Sequence, residues 1–91
     1  MTLYRADPPA LRPSVSAEGM TLLYHRPSGT THVLLSPAPE ILAALADGPA
    51  DAATIAARLL AGHAIETEEP IAEVIAARLA ELAEAGLVAA A

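Results

Sequence analysis

The chain has 91 residues, a formal net charge of −6 and no cysteine, with five arginines, no lysine and 11 acidic residues. That length allows one small domain, and the missing thiols exclude a disulfide framework, a thiolate nucleophile and a thiolate zinc site. The acidic balance argues against a nucleic-acid or anionic-membrane partner, because both demand a cationic face to neutralise phosphates. Hydrophobic residues make up 54% of the chain, but 23 of them are alanine and Phe and Trp are absent, so the core is modest and aliphatic. No apolar run approaches the roughly 18–20 residues of a membrane span, and the N-terminus has neither a basic head nor an apolar signal core. The expected compartment is the cytoplasm.

Residues 1–37 hold five of the eight prolines and two similar turn signals, Ser16-Ala17-Glu18-Gly19 and Arg26-Pro27-Ser28-Gly29. Pro27 presets φ for a type I turn, and Gly19 and Gly29 can take the left-handed position of a bulged hairpin. A three-stranded antiparallel meander is therefore expected over about residues 10–16, 20–26 and 30–35. In the first of these strands Leu11, Pro13 and Val15 share one face and Arg12 and Ser14 the other. Pro13 cannot donate to a ladder, so this strand is an edge or its amide side faces solvent.

From Ser36 the pattern turns helical, with Ser36 as N-cap, Pro37 at the first helical position and Ile41, Leu42 and Leu45 as the apolar stripe of a helix over about 37–46. Asp47-Gly48-Pro49 stops it, and Asp51 caps a second helix, about 52–61, whose stripe is Ala52, Ile55, Ala56, Leu59 and Leu60. Thr67 caps a third, about 68–85, with Glu68 and Glu69 near the positive end of its dipole and Ile71, Val74, Ile75, Leu79 and Leu82 along one side. Gly86 stands where a C′ glycine belongs, Leu87 and Val88 fold back on the helix end, and the last three alanines fray. The expected class is α+β, in the order β-β-β-α-α-α: a winged-helix-like arrangement with its strands placed first.

The strands do not alternate as a half-covered sheet should. Val33 and Leu35 oppose Leu34, and Leu22 and Tyr24 oppose Leu23, so both faces are apolar. Three short helices cannot cover both, unless the sheet curls and the third helix wraps its edge. The third strand is also an edge, and neither Lys nor Pro interrupts Thr30 to Leu35 to blunt it. An apolar, unprotected edge beside an amphipathic helix is what strand addition by a peptide requires.

The run Tyr24-His25-Arg26-Pro27-Ser28-Gly29-Thr30-Thr31-His32-Val33-Leu34, followed by Pro37, Glu40-Ile41-Leu42, Leu45 and Asp47-Gly48-Pro49, resembles the PqqD-like family. The Ser-Gly-x-Thr-His segment looks like the subfamily encoded beside HPr kinase-like proteins, the HPr-rel-A systems. The likeness spans about residues 3–88 and rests on the combination and order of common motifs. It implies a RiPP recognition element, a non-catalytic peptide chaperone that holds the leader of a precursor peptide and presents it to a modifying enzyme, here HPr kinase-like or a radical enzyme. In that family the leader pairs as an extra strand against the third strand, next to the third helix. Carried over by position, this nominates Thr31, His32, Val33, Leu34 and Leu35 on the strand, and Val74, Ile75, Arg78, Leu79 and Leu82 on the helix. Val33 or Leu35 and the Val74/Leu79 side of the helix are the expected pocket walls.

Other chemistry is thinly represented. His32 has no orienting partner or nucleophile nearby in sequence, and it reads as a groove-lining or hydrogen-bonded residue. His25, His32 and His63 fall in separate elements with no closely spaced carboxylate, so no metal site or cofactor is expected. Arg78 interrupts the third-helix stripe and either reaches Glu81 or Glu84 or anchors an acidic leader residue. Glu66, Glu68 and Glu69 read as a solvated helix start. Tyr4 and Tyr24 are too few for a base-stacking platform. Two further classes compete: a structural protein that dimerises through its edge strand, and a winged-helix DNA-binding protein, which one Arg against Glu73, Glu81 and Glu84 on the third helix disfavours. No Gly-rich phosphate loop, triad or carboxylate pair marks an enzyme.

Overall fold

The computed structural model describes residues 2–61 and 71–91. Among the described residues, five strands and three helices follow one another as β1 (Tyr4–Ala6), β2 (Ser14–Ala17), β3 (Met20–His25), β4 (Thr30–Leu35), α1 (Ala38–Leu45), α2 (Ala52–Ala61), α3 (Ile71–Glu84) and β5 (Val88–Ala90). The fold is α+β. Strands β2, β3 and β4 form an antiparallel meander in that order, and the three helices come after it. Both turns use the left-handed conformation: Gly19 has φ 79° and Gly29 φ 68°, values at which a Cβ is strained.

Strand β2 is shorter than the sequence suggests. Pro8-Pro9 and Ala10 start a 3-10 turn over Pro9–Leu11 instead of an extended segment, since fixed proline φ values suit a first helical turn. The backbone still follows β3, because the amides of Tyr24 and Arg26 donate to the carbonyls of Pro13 and Leu11. Arg12 leaves the strand to bridge layers, its guanidinium donating to the carbonyls of Asp7 at 2.9 Å and Leu42 at 3.0 Å. Burial lowers the Arg12 pKa from its ordinary value, against the opposing pull of the Asp7 charge.

The core lies between the helices and one face of the meander. Leu23 and Leu34 enter it from the sheet, Ile41, Leu42 and Leu45 from α1, Ile55, Ala56 and Leu59 from α2, and Ile75, Leu79 and Leu82 from α3. Leu60, placed in the α2 stripe by periodicity, is instead exposed. At the start of α1 the N-cap is Pro37, and the Ser36 hydroxyl donates to the Glu40 carboxylate at 2.7 Å without capping the helix. Asp51 does cap α2, accepting from the Thr54 amide at 2.8 Å. The cap of the third helix placed at Thr67, with His63, Glu66, Glu68 and Glu69, lies outside the described residues.

The C-terminus departs most from expectation. Gly86, at φ 81°, ends α3 in a Schellman arrangement in which the Leu87 amide reaches the Leu82 carbonyl at 2.9 Å. Leu87 and Val88 are buried as expected, but the alanines beyond them do not fray. Ala89 and Ala90 complete β5, which pairs antiparallel with β1 in the register Tyr4↔Ala90 and Ala6↔Val88, and the Ala91 amide donates to the Leu3 carbonyl. Tyr4 also exchanges backbone hydrogen bonds with Ala50, so the second sheet ties both chain ends to the α1–α2 connection.

Candidate functional site

Among the described residues, no strand pairs with the outer edge of β4. The chain's own tail, the nearest candidate to seal that edge, is held by β1. Between the edge and α3 runs a cleft of about 440 Å³. Its strand side is His32, Val33, Leu34 and Leu35, continued by Ser36 and Ala38, and its helix side is Arg78, Glu81, Leu82 and Ala85.

The cleft brings together six of the ten nominated residues: His32, Val33, Leu34, Leu35, Arg78 and Leu82. Thr31 is on the edge strand but faces outward beside Tyr24. Val74 is half-buried and off the cleft, whereas Ile75 and Leu79 have no exposure at all and belong to the core. The proposed walls are corrected accordingly. Leu79 cannot line a surface pocket while it fills the interior, and strand alternation turns the side chains of Val33 and Leu35 to the outer face of the sheet. The helix wall is the neighbouring stripe at positions 78, 81, 82 and 85, spaced i, i+3, i+4 and i+7.

That stripe is mixed in character. Arg78 and Glu81 form an ion pair at 3.1 Å with both side chains substantially exposed, so it contributes little to stability. Two nitrogens on the cleft are buried and have no hydrogen-bond partner among the described residues, Nε2 of His32 and Nε of Arg78. Buried polar atoms are usually satisfied, and these two exceptions belong to residues on opposite walls of the cleft.

A second cluster was not legible in sequence. His25, only 6% exposed, has Nδ1 2.8 Å from the Ser28 hydroxyl and Nε2 2.6 Å from the Asp7 carboxylate. A Ser–His–Asp string can activate a hydroxyl. Here the string pins the segment before β2 to the β3–β4 turn, and none of its three residues lines the β4–α3 cleft. Ser28 is the residue next to Gly29 and could be guessed as a local partner. Asp7, 18 positions from His25, carried no signal. The His25 and His32 rings meet edge to face with centroids 6.5 Å apart.

Among the described residues, no group of three or more His, Cys, Asp or Glu side chains could hold a metal ion, and no helix is long and apolar enough to cross a membrane. Comparison with protein-family models, with curated proteins and with solved structures gives no match to this chain. The likeness to the PqqD-like family thus rests on the residues quoted for it.

Proposed function

We propose that this protein is a non-catalytic peptide-binding module, which captures a precursor (leader) peptide as an added strand on β4, next to α3, and presents it to a modifying enzyme. The observation that supports the reading is the β4 edge, unpaired among the described residues, free of Lys and Pro and flanked by a cleft of about 440 Å³. The resemblance of residues 24–49 to the PqqD-like family points the same way.

Energetics say what such a peptide must look like. Ordering six residues costs about 1–2 kcal/mol each, and each new backbone hydrogen bond returns about 1 kcal/mol net. Strand pairing alone is near break-even. The remainder comes from apolar side chains at about 25 cal/mol per Å² buried, entering the cleft between Leu34 and Leu82, with polar groups placed to meet His32 and Arg78. The client is therefore an extended segment with aliphatic or aromatic residues at alternate positions.

The test is a titration of the ¹⁵N-labelled protein with synthetic peptides taken from short reading frames encoded beside its gene. Amide shifts concentrated in residues 32–36 and 78–85 support the reading, and Ala85→Arg, which fills the helix wall, abolishes them. Binding that shifts β2 or α2 alone, or that Ala85→Arg leaves unchanged, refutes it.

A further inference from the structure

The meander has a second apolar face, and the register of strand β2 sets its pattern. Directly paired residues share a face. Ser14 pairs with buried Leu23 and Ser16 with buried Thr21, so the serines of β2 lie on the side of the helices, where Ser16 and Thr21 hydroxyls are 2.9 Å apart. Val15 then lies outward, in one cross-strand row with Leu22 and Val33, and Met20 and Leu35 form the next row. A one-residue slip would reverse this. The strand instead turns its polar side toward its own helices and its apolar side to solvent.

The exposure is large: Val15 69%, Leu22 50%, Val33 61%, Leu35 61%, with Met20 and Tyr24 at 43% each. Together these six side chains present on the order of 600 Å² of surface, the upper end of what a monomer exposes in one patch. No outward position of the three strands is charged. Charge elsewhere is segregated: among the described residues, 2–37 hold three arginines against two acids, and 38–61 with 71–91 two arginines against six acids.

We infer that this face is covered by the same face of a second copy of the chain, the two sheets packing back to back about a twofold axis. A cationic partner would be drawn to the acidic helices, and an uncharged sheet face gives it no counter-charge. A second copy fits on both counts. Like rows meet like rows across an isologous contact, and the two acidic helical layers point away from each other. Patches of this size bury on the order of 1,200 Å² in total, just above the roughly 1,000 Å² expected of a specific interface. The dimer is consequently reversible, and it leaves the edge of β4 free. This inference is independent of the peptide-binding reading.

Sedimentation velocity from about 10 to about 500 µM tests it. The wild type passes from monomer to dimer over that range, and Val15→Thr/Leu22→Thr, which keeps β-branched or strand-tolerant residues at both exposed positions, weakens association at least about tenfold. Circular dichroism melting shows that the variant is folded. Should the variant melt early, a mixed ¹³C-labelled and unlabelled wild-type sample decides through intermolecular contacts between Leu22 methyls and those of Val15 or Val33. A wild type that stays monomeric throughout overturns the inference, as does a dimer lacking those contacts or unaffected by the folded double variant. A monomer that still binds peptides at β4 defeats only this inference; a dimer that binds none defeats only the proposed function.

Discussion

The two faces of the β2–β3–β4 sheet are made of the same kinds of residue and have opposite surroundings. On the inner face Leu23 and Leu34 are buried in the core that the helices complete, while on the outer face Leu22, Val33 and Leu35 are half or more exposed. Side-chain type alone does not decide burial; the count of covering elements does. Three helices of 8, 10 and 14 described residues cover one layer and no more. Among the described residues, one face of the sheet stays uncovered and the outer edge of β4 unpaired.

The sharpest way to break that contrast is a matched pair of truncations. Leu79→Ala, in the fully buried interior, is expected to lower unfolding free energy by about 2–5 kcal/mol. That is a large part of the roughly 5–15 kcal/mol typical of a domain. Val33→Thr on the outer face is expected to change it by under about 0.5 kcal/mol at low protein concentration. Urea unfolding of both variants at a few micromolar reads the difference, and comparable losses would show that the outer face is part of the fold's own core.

Next in size is the buried polar tie. Asp7→Ala leaves the imidazole of His25 without its 2.6 Å partner in a nearly closed site, which is expected to cost about 1–3 kcal/mol. Ser28→Ala, at the more open end, costs less. Equal and negligible effects in urea unfolding would mean that the turn holds the segment before β2 without this string.

What was legible in the sequence follows from how local each signal is. The α1 stripe Ile41, Leu42 and Leu45, the Asp51 cap and the Gly19, Gly29 and Gly86 turns all act within a few residues, and each stands where its pattern puts it. The β1–β5 ribbon joins three-residue strands from opposite ends of the chain, and Val88-Ala89-Ala90 has little strand propensity of its own. Pairing made it a strand. The groove shows the same limit in another form. The amphipathic stripe of α3 correctly marks an inward face, but one stripe cannot both fill the core and line a surface cleft. Ile75 and Leu79 fill the core, and the cleft wall is Arg78, Glu81, Leu82 and Ala85, of which the sequence pointed to Arg78 and Leu82 as wall and to Glu81 only as a partner of Arg78.

The ribbon supplies a smaller test of the same lesson. Removing residues 89–91 deletes the partners of Tyr4 and Arg5 and the 2.8 Å bond from the Ala91 amide to the Leu3 carbonyl, and is expected to cost about 1 kcal/mol. Hydrogen exchange locates the loss: amides of Tyr4 and Ala50 lose protection, and those of β3 keep it. A uniform loss across β3 would place the ribbon inside the same cooperative unit as the meander.

The smallest effect belongs to the most local contact, and its sign can be fixed in advance. Hydrogen bonds from the Thr54 side chain and amide lower the Asp51 pKa from its ordinary value of 3.8. A folded-state value below the unfolded one means that the unfolded chain binds the proton more readily. The contribution is therefore complete above the unfolded value and disappears as pH falls through the folded one. Asp51→Ala should lower the melting temperature slightly at pH 7, and the gap between the two proteins should close in the acid range below pH 3.8. The hydrogen bond lies at the surface, so screening keeps the difference small, and added salt should change it little because the cap is mainly a short-range hydrogen bond. A gap that widened toward low pH would mean that Asp51 acts through some contact other than the α2 cap.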